Sequence, residues 1–532
     1  MASLPRPRVD AQQPPFDPPL PMRHRVLLPL IASLLLPATV AAQPATDIDL
    51  DALAAAIEDT IRAETYAGAS WGIHVVNLRS GEPLYSHRAD DLFVPASNVK
   101  LLTSAAALEQ LGPDFRYRSR VYVDGPVQDG TLHGNLIVRG SGDPTLGHVD
   151  EDRAGDTQDP TRVFRAWADS LAARGITHIT GDIVGDDTIF KDTPLGHGWS
   201  WDDAPYGYSA EIGGLVFNGN TIQLRLQGQQ PGMPGRMEWT PIDTDYVTVV
   251  NRSRTVRGLR SVDESYERVR GSNTIHVGTR LPPGAVEEEE LSITNPTLFT
   301  THVLHEVLLQ EGISVQGGPV DLDAVPFRPA YASDSVRVVA THTSPPLRDI
   351  VATLNRDSNN LYAEQLLRTL SVATPPDTTD PDDLEPGSSA LGARRVGATL
   401  AHAGVDTSHV QIADGSGLSR YNLVSPSMLT QLLDHMWTHP DRSVRSAFHD
   451  SLPVGGRDGT LEYRFRGSAP ANGDVRAKTG TLSSVSALTG YIPSARGTPL
   501  AFSILCNHHV TESSNVRAAQ DVIVNALARL AQ

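Results

Sequence analysis

Lysine is nearly missing from this chain. Of its 44 basic side chains, three are lysine, at Lys100, Lys191 and Lys478, and all the others are arginine. Arginine keeps its proton in proteins, whereas a desolvated lysine can give one up, so the few lysines mark places where a removable proton could matter. Cysteine is scarcer still. The single Cys506 excludes an intramolecular disulfide and argues against a cysteine metal centre; its setting, Ala501 to Cys506, reads as a buried strand in which the thiol packs as core. There is no phosphate-binding glycine loop and no internal repeat. Positive charge is in deficit: 62 acidic residues against 44 basic ones leave a net charge of -18. Nucleic acid and anionic membranes need a basic face, so neither is a main partner.

Long apolar runs are also absent. The longest, Val26 to Leu36, is too short to span a bilayer comfortably, but it follows Met22-Arg23-His24-Arg25 and precedes Val40-Ala41-Ala42-Gln43. A basic start, an apolar run and small residues at the cut are the parts of a secretory signal. Residues 1–42 are therefore expected to be an N-terminal extension and signal peptide, with translation starting at Met22. Cleavage after Ala42 would release a protein into the periplasm or cell envelope without a transmembrane anchor.

The remaining length suits two or three domains. Residues 43–112 read as helix (Asp47 to Glu64), strand (Ser70 to Leu78), a second short strand and an apolar helix, the first part of a catalytic domain. Residues 113–340 change texture to short β runs between Gly, Pro and Asp turns, with one helix at Pro296 to Gln310, and read as inserted domains. Within them Glu287 to Glu290 is expected to be a solvated loop, and no metal site is expected. Residues 341–532 resume the catalytic domain with helices near Pro345 to Leu354, Ala390 to His402 and Ser427 to Trp437. Strands from Val475, Ser486 to Ile492 and Leu500 to Asn507 follow, and a helix closes the chain.

Two of the three lysines stand in motifs. Ser97-Asn98-Val99-Lys100 opens the apolar helix, and three-residue spacing puts both side chains on one face, where the amine can take the hydroxyl proton. Alone, the pair would read as a serine N-cap and a solvated lysine. It is accompanied by Ser358-Asn359-Asn360 at another helix mouth and by Lys478-Thr479-Gly480-Thr481 at the start of a strand. These are a nucleophile with a close base, a second hydroxyl, and a cation for an anionic substrate end.

This three-part pattern is similar to that of class A β-lactamases and penicillin-binding proteins. More closely, the chain resembles the class C low-molecular-mass penicillin-binding proteins, the D-alanyl-D-alanine carboxypeptidase/endopeptidase family. The likeness extends through Gly140 to Leu146, the Ser358 helix ending in Leu366-Leu367-Arg368, Asp414 to Arg420, Leu452-Pro453-Val454 and Asp458-Gly459-Thr460. Asn359 stands where the common pattern has aspartate. The resemblance implies an α+β transpeptidase fold, a five-stranded antiparallel sheet flanked by helices with a large, mainly β inserted region. It implies Ser97 as acylated nucleophile, Lys100 as base, Ser358 as proton relay and Asn360 as peptide holder. Lys478 and Thr479 would bind the terminal carboxylate beside Gly480, with an oxyanion site between the Ser97 and Thr481 amides. Peptidoglycan stem peptides would be substrates and β-lactams covalent inhibitors, with no cofactor. A β-lactamase or esterase on this fold, and a non-catalytic wall-binding protein, are the alternatives. A stem-peptide side chain carrying an amine and a carboxylate would need an anion and a cation, and Asp143 and Arg420 are the candidates. The competing reading is an aspartate that caps its own turn and an arginine in a surface pair.

Overall fold

The computed structural model describes residues 48–148, 159–191, 193–242, 244–373, 384–467 and 469–531; the expected signal sequence and its cleavage site lie outside the described residues. Helix α1 (Leu50–Ile61) is capped by Asp49, whose carboxylate accepts from the Ala52 amide (2.9 Å), and buries Leu53, Ile57 and Ile61 along one stripe. Strands β1 (Ser70–Asn77) and β2 (Pro83–His87) form a hairpin. Helix α2 (Val99–Leu111) is buried continuously from Val99 to Leu108, the pattern of a helix surrounded by core, and stops at Gly112, whose φ of +80° favours glycine.

The inserted region follows: β3 (Arg118–Asp124), β4 (Asn135–Arg139), α3 (Arg162–Ala172), β5 (Ile183–Asp186), β6 (Thr221–Gln227) and β7 (Arg236–Thr240). It continues with β8 (Thr248–Asn251), β9 (Tyr266–Arg268), β10 (Thr274–Val277), β11 (Val286–Ser292), α4 (Pro296–Gln310), β12 (Pro319–Asp321) and β13 (Val336–Thr343). One five-stranded mixed sheet runs β12-β5-β4-β3-β13; two three-stranded sheets run β7-β6-β11 and β8-β10-β9. Because β13 pairs antiparallel with β3 from Asp124↔Val336 to Arg118↔Thr343, the segment leaves and rejoins the rest of the chain through adjacent strands.

Two expectations are corrected here. The region holds a second long helix, α3, whose buried Phe164, Trp167, Ala168 and Leu171 recur at helical spacing between exposed arginine and aspartate. Glu287 to Glu290 is not a solvated loop but the middle of β11, held in register by β6 (Glu288↔Arg225, Glu289↔Leu224).

After the inserted region come α5 (Leu347–Arg356), α6 (Asn360–Ala373), α7 (Ser389–His402), α8 (Pro426–Thr438) and α9 (Arg442–Ser451). Then come β14 (Arg476–Leu482), β15 (Val485–Pro493), β16 (Pro499–Asn507) and α10 (Ser513–Ala528). Together with the first two strands these form a five-stranded sheet in the order β2-β1-β16-β15-β14, antiparallel throughout. Strand period decides which side each residue serves: Ala501 and Leu505 of β16 join the core under α2, α5, α6 and α8, while Phe502, Ile504 and Cys506 join the one under α1 and α10. The result is the expected α+β fold, with α2 and the edge strand β14 meeting at the cleft. No helix among the described residues is long and apolar enough to cross a membrane.

Candidate active site

The three motifs converge. Ser97 sits in a 3₁₀ turn (Ala96–Asn98) immediately before α2, Ser358 and Asn360 at the start of α6, and Lys478 to Thr481 on β14. Ala96 and Ser358 both hold left-handed backbone, φ +48° and +60°, a conformation costly for residues with a Cβ and concentrated at functional sites. Two glycines allow the elements to close on Ser97. A Cβ on Gly480 would stand 2.8 Å from the Pro95 carbonyl and 3.1 Å from the Ser97 amide; one on Gly417 would overlap the Ala96 carbonyl oxygen at 1.9 Å. Asn98 ties the turn to the strand: with its amide oxygen accepting from Thr489, its nitrogen donates to the Lys478 carbonyl at 3.0 Å and the Thr479 carbonyl at 3.3 Å.

Lys100 is fully buried, and its ammonium donates to three oxygens: Ser97 Oγ (2.9 Å), Asn360 Oδ1 (2.6 Å) and the Ser416 carbonyl (2.6 Å). Burial pulls its pKa down to about 7, against the opposing pull of Asp414 and Glu364. A half-buried hydroxyl beside an amine poised to lose its proton near neutrality has the chemistry that a nucleophile and its base need. Lys478, also fully buried, donates to Ser358 Oγ (2.8 Å) and the Thr479 carbonyl (2.9 Å); burial, then the nearby Lys100, hold its pKa well below the usual lysine value. Thr479 Oγ1 donates to Thr460 Oγ1 at 2.8 Å.

A supporting layer stands behind these groups and was not picked out from the sequence. Glu364, one turn after Asn360, is fully buried; one carboxylate oxygen accepts from the Gly415 and Ser416 amides (both 2.9 Å) and the other from Arg368 (3.0 Å). It thereby shapes the turn whose Ser416 carbonyl holds Lys100. Asp414 accepts from the Gly417 and Ser419 amides, from Asn422, and from Trp199 Nε1 (2.9 Å) of the inserted region. The insertion also reaches Asn360, whose amide nitrogen donates to the Tyr208 carbonyl (2.7 Å). Asn360, Glu364 and Arg368 recur every four residues, so helical spacing could have exposed the layer.

Removing the Glu364 charge should lower the Lys100 pKa, because that charge favours the ammonium. Glu364→Gln is therefore expected to move the acidic limb of the acylation pH profile below pH 7. It also leaves Arg368 buried without its counter-charge, which for such pairs costs about 3–5 kcal/mol. Stopped-flow acylation against pH together with a melting curve checks both; a profile that stays in place would remove Glu364 from the electrostatics of the site.

The two specificity candidates separate. Arg420 is exposed and donates to the Ser483 carbonyl (2.8 Å), in the turn after β14. Asp143 is 2 % exposed; it accepts from the Thr145 amide (2.9 Å) and hydroxyl (2.7 Å) and faces His342 Nε2 at 3.5 Å, with no hydrogen bond to the three motifs among the described residues.

A five-stranded antiparallel sheet with helices on both faces, and a serine–lysine pair where α2 meets its edge strand, define a protein of the penicillin-binding and serine β-lactamase-like class. The chain belongs to the D-Ala-D-Ala carboxypeptidase 3 (S13) family, whose profile matches residues 53–530. A D-alanyl-D-alanine carboxypeptidase of Actinomadura sp. (strain R39) is 35% identical over 527 residues, 95% of this chain and 90% of the relative. The carboxypeptidase DacB of Haemophilus influenzae is 26% identical over 463 residues, 85% of this chain and 88% of the relative. The crystal structure of penicillin binding protein 4 (dacB) from that organism has the same fold, with a TM-score of 0.73 at 24% identity over 89% of this chain and 99% of the other. A second structure of that protein holds a β-lactam and matches with a TM-score of 0.68 at 23% identity over the same shares.

Proposed function

We propose that this member of the family is an exported serine D,D-peptidase that cleaves D-Ala-D-Ala ends, D-Ala-diaminopimelate cross-links, or both, through a Ser97 acyl-enzyme. The observation that carries the reading is the Lys100 amine, buried, pushed to about 7 and 2.9 Å from Ser97 Oγ. Ser97 Oγ attacks the penultimate D-Ala carbonyl while Lys100 takes its proton, and the negative oxygen is held between the Ser97 and Thr481 amides. Collapse breaks the peptide bond; the departing amine receives its proton through Ser358, which Lys478 orients. Water then hydrolyses the ester, returning Ser97 to its resting form. The substrate carboxylate binds at Lys478 and Thr479, where its negative charge restores the proton that burial and Lys100 make hard to keep. β-Lactams acylate the same serine, in keeping with the β-lactam held by the Haemophilus relative. The envelope location rests on the signal at residues 1–42, and Gln43 is the expected first residue of the mature protein.

Mass spectrometry of products from defined cross-linked and uncross-linked muropeptides tests the activity and separates its two forms. Cleavage of neither would overturn the proposal. Nitrocefin distinguishes the β-lactamase alternative, because a peptidase acylates and then stalls whereas a β-lactamase turns over.

Arg420 and Asp143 are proposed to read the third residue of the stem. Each alanine variant is expected to lower kcat/KM for a diaminopimelate peptide by roughly 10- to 100-fold, the scale of one lost charged hydrogen bond, with penicillin acylation nearly unchanged. For Arg420 the support is its exposure and its contact with the Ser483 carbonyl in the turn after β14. For Asp143, whose carboxylate serves its own turn, a parallel fall in both reactions would assign it to structure instead.

A further inference from the structure

Away from the cleft, the far end of the helix that carries Lys100 meets two histidines. Glu109 stands in the last turn of α2, His435 in the last turn of α8, and His439 is the first residue after α8 ends. Ser97 and Glu109 are about 18 Å apart along the helix, at 1.5 Å per residue. His435 Nε2 and Glu109 Oε1 are 2.7 Å apart, and the two imidazoles meet edge to face with centroids 5.5 Å apart. One nitrogen from each ring and one oxygen from the carboxylate all lie within 4.8 Å of one another. All three residues are partly buried, so an ion can reach them from solvent.

A plain hydrogen bond would account for Glu109 and His435 alone. Two further observations point to a cation. Each helix presents its C-terminal end, where the peptide dipoles leave partial negative charge, and neither last turn carries a lysine or arginine. Glu109 adds a full negative charge, and its ion pair is with His435, which is charged only when protonated. His439 is also held in orientation. Its Nδ1 lies 3.2 Å from both the carbonyl oxygen and the amide nitrogen of Asp441; with Nδ1–H donating to the carbonyl, Nε2 is left with its lone pair free, the arrangement in which metal-bound histidines are found.

We propose that Glu109, His435 and His439 bind a divalent transition metal of the zinc class, with water as the fourth ligand. Two imidazoles and one carboxylate suit zinc and disfavour calcium or magnesium, which take oxygen sets. Bonds of about 2.0–2.1 Å to a tetrahedral ion place its ligand atoms about 3.3 Å apart. Small side-chain rotations bring atoms already within 4.8 Å of one another to that spacing. When zinc takes His435 Nε2, the proton on that nitrogen moves to Nδ1, and the hydrogen bond to Glu109 is replaced by two bonds to the ion. The ion would pin the end of α2 to the end of α8, and so hold the helix behind Ser97 and Lys100 from its far end. No residue of the cleft takes part.

The test uses the full chain, stripped with EDTA and dialysed. Zinc is titrated against a chromophoric chelator, cobalt(II) is added separately as a spectroscopic probe, and melting midpoints are compared in zinc and in EDTA. Because the chain has 18 histidines, the site is read from the difference between wild type and variant. The wild type is expected to bind zinc, to show the visible bands of tetrahedral cobalt(II), and to melt higher with zinc than with EDTA. H439A should weaken zinc by more than about 100-fold, beyond the roughly 10- to 100-fold typical of losing a residue that only supports a ligand. It should also lose the cobalt bands and the zinc response of Tm, while its labelling by fluorescent penicillin stays equal to that of the wild type. Should H439A not fold, E109Q, which keeps the shape of the side chain, should weaken zinc at least about tenfold. Equal zinc affinity in wild type and variant, or a wild-type Tm indifferent to zinc, would overturn the proposal and leave a hydrogen bond between two helices as the role of Glu109 and His435.

Discussion

Ser97→Ala is expected to take up no label from a fluorescent penicillin that marks the wild type, and to lose D,D-peptidase activity entirely. Two other observations make the outcome sharp. Ser358, another hydroxyl in the cleft, lies 2.8 Å from the amine of Lys478, which burial also holds well below the usual lysine range, so a variant that takes up no label excludes Ser358 as the acylated residue as well. The variant should also fold, because the Lys100 amine keeps Asn360 Oδ1 and the Ser416 carbonyl when the Ser97 hydroxyl is removed. A melting curve close to that of the wild type, with the label absent, therefore locates the acyl-enzyme. Equal labelling of both proteins would place it elsewhere.

Much of this site was legible because its chemistry is written in short, local patterns. Ser97 and Lys100 are three residues apart, and the four residues from Lys478 to Thr481 lie along one strand; spacing alone therefore orients them. Helix α4 was readable from Pro296 to Gln310 because proline can occupy its first turn and Asn295 caps it. What escaped lies in contacts between distant segments. Nothing in the run Glu364-Gln365-Leu366-Leu367 says that Glu364 will be buried against the Gly415 and Ser416 amides, since an internal helix glutamate is ordinarily solvated. Trp199 and Tyr208 belong to an insertion whose packing on α6 cannot be inferred from either segment alone. The β11 acids failed for a different reason. Four identical residues carry no alternation, so only pairing with β6 decides which of them face inward.

Lys100→Arg is expected to lower the acylation rate by about 10³-fold or more, the scale of lost base catalysis combined with disturbed local geometry. The substitution keeps the positive charge, so a purely electrostatic role for Lys100 would survive it. A base would not, because arginine remains protonated and cannot accept the Ser97 proton. The wild type should show the same requirement in its pH profile. With a pKa of about 7, the lysine is mostly ammonium and inactive as a base at pH 5–6, and mostly free amine above pH 8. Acylation should therefore rise through pH 7 and level off, whereas Lys100→Arg should show no such limb. Surroundings sharpen the contrast further. The lysine amine fits between Ser97, Asn360 and Ser416 at 2.6–2.9 Å, and a permanent charge there would also weigh against a proton on Lys478, whose pKa Lys100 already depresses. Stopped-flow penicillin acylation between pH 5 and pH 9, for both proteins, measures rate and limb together. Near-normal acylation by Lys100→Arg, or a wild-type rate that falls as pH rises through 7, would refute the base role and leave the lysine as an electrostatic anchor for the Ser97 oxygen.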